Sequence, residues 1–583
     1  MKTAYQTHWK RVPSLSGQQL PGKYHALVEK ILISRGITKP EAMEEFLSKR
    51  PRLTYDPYGM KGMREAVDRV CAAIEKEEKI VFYGDYDVDG ITSVALLVDF
   101  FFPITNKIEF YIPLRQEEGY GLNQEALLEI RDEYQADLVI TADCGISAVA
   151  EIDYARKIGL DVIVTDHHSP GKALPDAIIV NPKQAGCAYP FKELSGCGVA
   201  FKLAQALQQR LELPKKQVTD LLDLVAMATV CDVVPLRDEN RTLLKYGLEK
   251  IRHTGRCGLN ALISTLAIQK DQIGVRELGF VLGPHFNASG RIDDARRGVQ
   301  LLVTTNRETA GTIAAHLKTL NLKRRAIQEK GLNTCYQLVE TQYLADPFLV
   351  VEAEGLHEGV IGIIAGRLRD TYYRPTLVLT PSQDPDFFTG SGRSVEGFHL
   401  FNELQPAEGL MERFGGHANA CGMKIKKENI EKLRNHLIER VLKAEEDSPE
   451  LLHKKVTIAD HVDLVDISEE LVEHMAQLEP YGMGNEKPYL LMEDLFTGED
   501  SSIRTMGNEG QHLKITGFLQ NHREKLQGIE ILGFGIQESH KELIYSREPF
   551  DLVFYPQVNE FRGKRSIQLM IKDMKRKDRS EQS

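Results

Sequence analysis

The amino-acid sequence predicts a multi-domain α/β protein: a parallel-sheet domain, a second and smaller α/β domain joined to it by a long helix, and a C-terminal β-barrel of the OB type. Three observations favour this fold class. A chain of 583 residues is too long for a single hydrophobic core. Residues 79–181 alternate short apolar runs with helix-forming sequence. After about residue 451, strand-like runs separated by turn residues dominate.

The parallel-sheet domain is expected over residues 71–295, after an N-terminal helical segment over residues 1–70. Its strands are predicted at KIVFYG, KIEFYIP, DLVITA, DVIVT and AIIV. Such near-continuous apolar runs are typical of strands that are covered on both faces, as in parallel sheets built from βαβ units.

Three further segments follow this domain. Residues 296–340, which include HLKTLNLKRRAIQEK, are expected to form the connecting helix, and residues 341–446 the second α/β domain. Residues 451–577 contain five predicted strands, at PYLLMEDLF, HLKITGFLQ, GIEILGFGI, FDLVFYPQV and RSIQLMIKDM. Five strands in a segment of this length favour an OB-fold.

Composition excludes several classes of protein. No apolar run approaches the ~20 residues that cross a bilayer, and MKTAYQTHWKRVPS lacks the apolar stretch of a secretory signal. We therefore expect a cytoplasmic monomer without a membrane partner. Eight cysteines without a C-x-x-C pair encode neither a zinc ribbon nor a disulfide framework. The net charge of −11 argues against a surface that coats nucleic acid broadly, although it is compatible with a local basic groove.

Acidic and imidazole groups follow the predicted strands of the first domain. VFYG runs into Asp85, Asp87 and Asp89, VITA into Asp143, and VIVT into the triplet Asp166-His167-His168. The helical stretch LLDLVAMATV then leads to Asp232. Because ligands of parallel sheets bind outside the carboxyl ends of the strands, these groups are expected to meet at one edge.

This set of side chains predicts a divalent metal site. Packing so many carboxylates together without cations would be strongly unfavourable. Several carboxylates with one or two imidazoles suit Mn²⁺ or Mg²⁺ better than structural zinc, which favours cysteine. Two ions about 3.5–4 Å apart could share the set and support a phosphoryl displacement.

Two other interpretations of GDYDVDG are less consistent with the sequence. A calcium loop requires an acidic residue at its twelfth position, which is Leu96 when counted from Asp85, and it follows a helix rather than a strand. A solvated turn would explain an isolated acidic run. It does not explain why several metal-capable groups converge on the same sheet edge.

The motifs GDYDVDG, ADCG, TDHH and CDVVP resemble the successive signatures of the DHH phosphoesterase superfamily. Within it, GPHFNASGR, SGRS and GGHANACG, in a chain this long, resemble the RecJ family, over roughly residues 50–577. The resemblance implies an exonuclease that uses two divalent metal ions; the imidazoles favour Mn²⁺, and Mg²⁺ is compatible with the same ligands. It would degrade single-stranded DNA in the 5′→3′ direction to 5′ mononucleotides in DNA repair and recombination. A single-strand-binding protein and a helicase are the candidate protein partners.

The resemblance also assigns roles to residues of the first domain. The expected metal ligands are Asp87, Asp89, Asp143, His167, His168 and Asp232. Asp143 would bridge the two ions, and Asp166 would orient an imidazole. The expected catalytic residues are Asp85, Asp143, His167, His168 and His417. Asp85 would act as a further ligand or as support for one.

Substrate binding is expected from both α/β domains, through Arg115, Arg291, Ser391, Arg393, Ser394, Gly416 and His417. Arg115 would anchor a 5′ phosphate, and the guanidinium of Arg393 could engage two phosphate oxygens at once. The family version of GPHFNASGR usually reads P-R-I-N-A-A-G-R, so that His285 stands where an arginine is expected. The change removes a permanent positive charge, and from this motif we carry over only Arg291.

Two rival functions predict different sequences. A DHH phosphoesterase that acts on cyclic dinucleotides, nanoRNA or pyrophosphate would be much shorter and would lack the C-terminal β-rich domain. A DNA-binding scaffold that had lost the chemistry would show eroded ligand positions, whereas every ligand position is filled here.

Overall fold

The computed structural model describes residues 7–13, 21–115, 117–119, 121–497, 501–507, 510–520, 525–561 and 563–577. They divide into two compact units. The first unit contains Ser48–Ala326 and Pro480–Glu486. The second contains the described residues of Met1–Leu47, Ile327–Glu479 and Lys487–Ser583.

The described residues form strands and α-helices throughout. The strands are β1 Thr7–Arg11, β2 Ile80–Gly84, β3 Ile108–Tyr111, β4 Leu138–Ala142, β5 Asp161–Thr165, β6 Ile178–Val180, β7 Leu349–Glu352, β8 Thr376–Pro381, β9 Phe387–Arg393, β10 Met411–Gly416, β11 Ala420–Lys426, β12 Lys454–His461, β13 Tyr489–Thr497, β14 Ser502–Met506, β15 His512–Gln520, β16 Lys525–Gly533, β17 Phe550–Phe561 and β18 Lys564–Arg576. The helices are α1 Ala26–Ser34, α2 Pro40–Leu47, α3 Met63–Glu75, α4 Val88–Phe101, α5 Gln124–Asp132, α6 Val149–Lys157, α7 Gly196–Arg210, α8 Lys215–Thr219, α9 Leu222–Cys231, α10 Asp238–Arg252, α11 Cys257–Thr265, α12 Val275–Glu277, α13 Gly283–Ile292, α14 Arg296–Val303, α15 Arg307–Leu338, α16 Glu358–Tyr372, α17 Leu400–Leu404, α18 Ile430–Asp447, α19 Glu469–Ala476 and α20 Glu538–Ser546.

The sheet of the first unit has the order β3-β2-β4-β5-β6, and every pairing in it is parallel. Alternate side chains of its strands enter two different cores. Phe82 and Ile140 pack with α4 and α7 on one face, whereas Val81 and Val139 pack with α5 and α6 on the other. The predicted parallel sheet covered on both faces is confirmed, and all five strands end at the same edge.

Two buried helices bring further residues to that edge. Helix α4 follows β2 directly, and nearly all of its residues are buried. Helix α9 is mostly apolar and nearly all of its residues are buried, as expected for a helix in the middle of a core, and its C-cap is Asp232. The polar residues at the N-terminus of α4 and at the C-terminus of α9 therefore lie close to the carboxyl ends of the strands.

A mixed sheet with the order β10-β11-β9-β8-β7 forms the second α/β domain, within the second unit. Only β7 and β8 are parallel, and the other neighbours are antiparallel. Residues of α18 cover one face, and residues of α15 and α16 cover the other. The segment predicted as one connecting helix over residues 296–340 contains two helices, α14 and the 32-residue α15, because Thr304–Asn306 interrupts it.

The C-terminal strands form a closed barrel. The five strands predicted from sequence, β13, β15, β16, β17 and β18, make a ring because β13 pairs with both β17 and β15. Strands β12 and β14 extend this sheet and were not predicted. The barrel confirms the OB-type prediction.

The N-terminal segment differs from its prediction. We expected only helices over residues 1–70, but Thr7–Arg11 forms β1, which pairs in parallel with β12. The Nε1–H group of Trp9 also donates to Asp573 Oδ2 at 2.5 Å. No local pattern reveals such a pairing, because the partner strand lies far away along the chain.

Among the described residues, no helix combines the length and the apolar character needed to span a membrane.

Candidate metal centre

The aspartate run joins β2 to α4. Asp87 is the N-cap of α4, and its Oδ1 accepts hydrogen bonds from the N–H groups of Asp89 (2.8 Å) and Gly90 (3.1 Å). A Cβ atom on Gly90 would lie 2.3 Å from the carbonyl oxygen of Asp85, so only glycine permits this close approach. The three aspartates therefore occupy a tight turn at the carboxyl end of β2.

Asp89 is held by the N-terminus of a second helix. The N–H groups of Gly196 and Cys197 in α7 donate to its two carboxylate oxygens at 2.7 Å each. The positive end of the helix dipole favours a carboxylate at this place. Ser195 caps α7 by accepting from the N–H of Gly198 (3.1 Å). This support was not predicted, although a serine just before GCGVAFK is a helix-start signal.

Asp143 occupies the centre of the site. It follows β4 with a φ of 65°, a left-handed conformation that is uncommon for a residue other than glycine. A Cβ atom on Gly196 would lie 2.6 Å from Asp143 Oδ1, so α7 approaches this carboxylate as closely as its backbone allows. Asp143 is 2% exposed.

The three residues that follow β5, Asp166, His167 and His168, have different roles. Asp166 accepts hydrogen bonds from the N–H groups of Ile146 (2.9 Å), His167 (2.7 Å) and His168 (3.0 Å). Its Oδ1 also lies 2.8 Å from Nδ1 of His168. Burial alone would lower the pKa of His168, but the hydrogen bond and the charge of Asp166 raise it to about 9. Asp166 thus orients the ring of His168.

His167 lies among three carboxylates. Its Nε2 is 3.1 Å from Asp143 Oδ1, 3.5 Å from Asp232 Oδ2 and 3.9 Å from Asp89 Oδ2. Burial, assisted by the nearby charge of His168, lowers the pKa of His167 to about 3. The imidazole is therefore neutral at physiological pH, which is the form that binds metal ions.

Three overlapping groups of side chains could each hold a metal ion, because the ligand atoms within a group lie within 4.8 Å of one another. They are Asp85 with Asp87 and Asp143, Asp143 with His167 and His168, and Asp89 with His167 and Asp232. Asp143 and His167 each belong to two of the groups. All six residues expected to bind metal, together with Asp85, are thus brought together.

The side chains fit divalent cations in charge as well as in position. Burial and the neighbouring carboxylates raise the pKa of Asp89 to about 7, and they raise the pKa values of Asp85, Asp143 and Asp232 well above their usual range. Within the part of the chain that the structure describes, the buried atoms Oδ1 of Asp143 and Nε2 of His167 have no hydrogen-bond partner. Oxygen-rich sites with one or two imidazoles suit Mn²⁺ and Mg²⁺.

Arg115 and Arg291 lie beside the aspartate run. The guanidinium of Arg115 stacks over the ring of Tyr86 at 5.1 Å from its centroid, and its charge opposes the raised pKa of Asp85. Helix α13, which carries Arg291, contacts the same loop: Asn287 Oδ1 accepts from the N–H of Val88 (3.2 Å), and a Cβ atom on Gly290 would lie 2.2 Å from the carbonyl oxygen of Tyr86. No role was predicted for Tyr86 or Asn287.

His285 has a packing role in place of the arginine of the family motif. Its ring is buried, with Nδ1 at 2.6 Å from the carbonyl oxygen of Val281 and Nε2 at 3.1 Å from Nδ2 of Asn321. In this arrangement Nδ1–H donates to the carbonyl and Nε2 accepts from the amide. Both ring nitrogens are therefore used in joining α13 to α15.

Asn181 and Lys183 were also missed, although they follow β6 as the other polar residues follow their strands. Asn181 is fully buried, and its Nδ2 donates to the carbonyl oxygen of His168 (2.9 Å) while its Oδ1 accepts from the N–H of Lys183 (2.8 Å). The charge of Lys183 contributes to lowering the pKa of His167 and opposes the raised pKa of Asp232. A cation thus lies close to the carboxylate cluster on the β6 side.

The remaining expected substrate-binding residues lie in the second unit. Arg393 Nη1 donates to Ser391 Oγ at 3.1 Å, and both side chains lie over Gly362 of α16, where a Cβ atom would come within 3.0 Å of them. Ser394 is buried, and its hydroxyl donates to the carbonyl oxygen of Phe398 (2.6 Å). Ser391 and Arg393 therefore form a pair, while Ser394 stabilises the turn that follows.

Gly416 and His417 are at the end of the β10–β11 hairpin. Gly416 has a φ of 149°, and a Cβ atom on it would lie 2.3 Å from the carbonyl oxygen of Ala420, so glycine is required. His417 is exposed at the tip, and its N–H donates to the same carbonyl (2.8 Å). The hairpin presents an imidazole on the surface of the second unit.

Comparisons with protein-family models match three segments of the chain. The N-terminal domain of the DHH family matches residues 79–229, the DHHA1 domain matches residues 345–443, and the RecJ OB domain matches residues 458–573. These segments correspond to the parallel sheet, the second α/β domain and the barrel.

Individual relatives match over nearly the whole chain. The single-stranded-DNA-specific exonuclease RecJ of Bacillus subtilis (strain 168) is 40% identical over 94% of this chain and 67% of the relative. The protein of the same name from Dickeya dadantii (strain 3937) is 34% identical over 97% of this chain and 99% of the relative. The crystal structure of RecJ from Thermus thermophilus in complex with Mn²⁺ covers 98% of this chain and 80% of that chain, with a TM-score of 0.82 and 26% identity.

Proposed function

The chain belongs to the RecJ family of single-stranded-DNA-specific exonucleases, and on this premise we propose that it degrades single-stranded DNA from the 5′ end to 5′ mononucleotides. It is an exonuclease with divalent metal ions as cofactors, as its domains and its relatives show. The polarity, the product and a role in DNA repair and recombination are our proposal.

One observation carries the proposal: three groups of metal-capable side chains overlap at Asp143 and His167. Asp87, Asp89, Asp143, His167, His168 and Asp232 would hold two divalent cations, with Mn²⁺ favoured because imidazoles take part. Bound ions of this kind lower the pKa of water and neutralise charge on the phosphate in an in-line displacement. The protein side chains fix where these charges lie before substrate arrives.

The surrounding residues prepare this arrangement. The N-terminus of α7 holds Asp89, and Asp166 keeps the ring of His168 in one orientation. Asp85, which is 3% exposed, supports the ligands beside it. Such fixed geometry avoids reorganisation during the reaction.

Substrate contacts are proposed in both units. In the first, Arg115 would bind the terminal 5′ phosphate and Arg291 a neighbouring group on the strand. In the second, the pair Ser391 and Arg393 would bind phosphate, and His417 would contact the scissile phosphate or the next one. Gly416 and Ser394 would hold the two loops in shape. Specificity for a 5′ end follows if Arg115 binds a terminal phosphate one nucleotide beyond the scissile bond.

The barrel would bind additional single strand by base stacking. OB-folds use aromatic side chains and a positive groove for this purpose. Phe534, which is 61% exposed and contacts the ring of His512, is a candidate stacking residue.

We further propose that the protein is a cytoplasmic monomer that works with a helicase and a single-strand-binding protein. Co-purification of tagged protein would test the partners, and measurement of its mass in solution would test the monomer.

The decisive experiment uses a long single strand labelled at either end, with and without a 5′ phosphate, beside a duplex of the same sequence, in Mn²⁺ and in Mg²⁺. We expect mononucleotides released from the 5′ end of the single strand only. Cleavage of dinucleotides with the long strand untouched would instead indicate a small-substrate phosphoesterase. Tight strand binding without turnover in either metal would indicate a scaffold without catalysis.

A further inference from the structure

Two cations flank the metal centre, one at each edge of the parallel sheet. Arg115 follows β3 and Lys183 follows β6, and these are the first and last strands of the order β3-β2-β4-β5-β6. The metal-capable loops follow β2, β4 and β5 between them. Because neighbouring strands lie roughly 4.8 Å apart, the two edge strands are about 19 Å apart, a distance spanned by several loops.

We propose that Lys183 binds the phosphate on the 3′ side of the scissile bond, so that the DNA strand crosses the carboxyl edge of the sheet from β3 at its 5′ end towards β6. This inference rests on the proposed function, in which Arg115 binds the terminal 5′ phosphate. Because each nucleotide contributes one phosphate, the terminal phosphate, the scissile phosphate and the next phosphate would lie in turn at the β3 end, at the metal centre and at the β6 end. The order of the strands would thereby set the direction of the substrate.

The position of Lys183 is fixed by a buried side chain. Asn181 connects the loop after β6 to the loop after β5, since it binds the carbonyl oxygen of His168 and the N–H of Lys183 at the same time. Asn181 also accepts from Gln184 N–H through its own carbonyl (3.3 Å). The backbone of Lys183 is therefore held relative to His168, which is a proposed metal ligand.

The side chain of Lys183 remains free to exchange its partner. Its Nζ lies 3.7 Å from Glu193 Oε2, and the side chains of Lys183 and Glu193 are 24% and 40% exposed. An ion pair at this distance and exposure is weak. Its charge still acts on His167 and Asp232, which lie on the β6 side of the cluster. A phosphate bound near these residues would be a stronger partner for the ammonium than Glu193, since charge-assisted bonds to phosphate are short and strong.

The alternative is that Lys183 only fixes the loop through Glu193, and single substitutions separate the two roles. Lys183→Met removes the charge and keeps most of the length of the side chain, and Lys183→Arg keeps the charge. If Lys183 binds phosphate, Glu193→Gln should retain activity, and Lys183→Arg should restore a large part of what Lys183→Met loses. Lys192→Met is the matched control, because Lys192 Nζ donates to the carbonyl oxygen of Cys187 (2.8 Å) in the same region.

The test measures kcat/KM on a 5′-phosphorylated oligonucleotide that carries one uncharged methylphosphonate at its second internucleotide linkage. On the unmodified strand, Lys183→Met should lose roughly tenfold or more, the factor expected for one hydrogen bond to a charged group. The methylphosphonate should slow the wild-type enzyme by a similar factor and slow Lys183→Met no further. A methylphosphonate at the fifth linkage should affect both enzymes equally.

Three outcomes would overturn the inference: equal slowing of both enzymes by the modification at the second linkage, unchanged activity of Lys183→Met, or a loss in Glu193→Gln as large as in Lys183→Met. Thermal unfolding of each variant shows whether it is folded. If Lys183→Met is misfolded, Lys183→Arg is compared with the wild-type enzyme on the modified strand in its place. Failure of the proposed function is a separate result, because the wild-type enzyme would then not degrade the unmodified strand from its 5′ end.

Discussion

Nε2 of His167 lies 3.1 Å from Oδ1 of Asp143, and these two residues connect the three groups of metal-capable side chains. Asp143 is shared by the groups on either side of it, and so is His167. A change at either residue therefore affects more than one metal position, whereas a change at Asp85 or Asp232 affects one.

Asp143→Asn should abolish Mn²⁺-dependent hydrolysis and leave the fold intact. A loss on the order of a thousandfold in kcat is expected, because metal ions contribute several kcal/mol to stabilising the transition state. In EDTA the variant should unfold at a higher temperature than the wild type, since a buried carboxylate with a raised pKa is removed. Asp153→Asn, at an exposed position of α6, is the control. Retained activity would contradict the assignment of Asp143.

Gly196→Ala should weaken metal binding although it replaces no metal ligand. The added Cβ atom would lie 2.6 Å from Asp143 Oδ1, so Asp143 or α7 must move. Displacement of supporting residues typically reduces metal affinity 10–100-fold, and we expect a loss of about that size in Mn²⁺ titrations. Gly255→Ala is the matched control, because no atom of the described residues lies within 4 Å of its added Cβ atom. Equal Mn²⁺ affinity in both variants would show that α7 does not position Asp143.

Mn²⁺ affinity should rise steeply with pH around neutrality. In the metal-free protein the pKa of Asp89 is about 7, because burial and neighbouring carboxylates favour its protonated form. Below pH 7 a metal ion must displace that proton, and up to about pH 9 it must also displace the proton of His168, so affinity increases as pH rises through neutrality. His167, with a pKa of about 3, is neutral over the whole range. The measurement is the Mn²⁺ concentration that half-saturates the rise in Tm at pH 6, 7 and 8. A constant half-saturation would contradict the raised pKa.

Tyr86→Leu should reduce the preference for a 5′-phosphorylated strand. The ring of Tyr86 supports the guanidinium of Arg115, and cation–π contacts contribute roughly 0.5–2 kcal/mol. Tyr86→Phe keeps the ring and should keep the preference. The readout is the ratio of kcat/KM for strands with and without the 5′ phosphate. If both variants lose the preference equally, the hydroxyl rather than the ring is responsible.

Trp9→Phe should destabilise the second unit by about 1–3 kcal/mol, the cost of leaving a buried acceptor without one of its donors. Although burial opposes it, the hydrogen bonds from His540 and Trp9 lower the pKa of Asp573. Stability gained from a lowered carboxyl pKa is present above the unfolded-state pKa of about 3.9 and is lost as pH falls through the folded-state value. The deficit of the variant should therefore be full at pH 7 and shrink in strong acid, as followed by urea unfolding with circular dichroism. Lys10→Ala in the same strand is the control.

The sequence predicted the metal-capable residues that follow the strands better than the groups that hold those residues in place. The order of apolar run and acidic turn located the parallel sheet and the side chains that meet at its edge. The motif resemblance to the RecJ family is confirmed by relatives that match nearly the full chain. The contribution of α7 to Asp89 was missed because it comes from backbone N–H groups, which every sequence contains.

The misses share a physical cause. β1 pairs with a strand far along the chain and has no local signature. Asn181 follows a strand, but the sequence does not show that its side chain connects two loops. His285 could be noticed as a departure from the family motif, but only its two ring contacts explain it. The contacts of a single polar side chain depend on tertiary packing. The periodic pattern of apolar residues in the sequence does not encode them.

The pairing of β1 with the barrel sheet gives the enzyme an intrinsic optical reporter. Trp9 is the only tryptophan among its 583 residues, and it lies between Asp573 and the ammonium of Lys575, which is 4.7 Å from the ring centroid. Tryptophan fluorescence therefore arises from one place in the protein. Its emission can follow oligonucleotide binding at the barrel without a label, while turnover is followed independently through the released nucleotides.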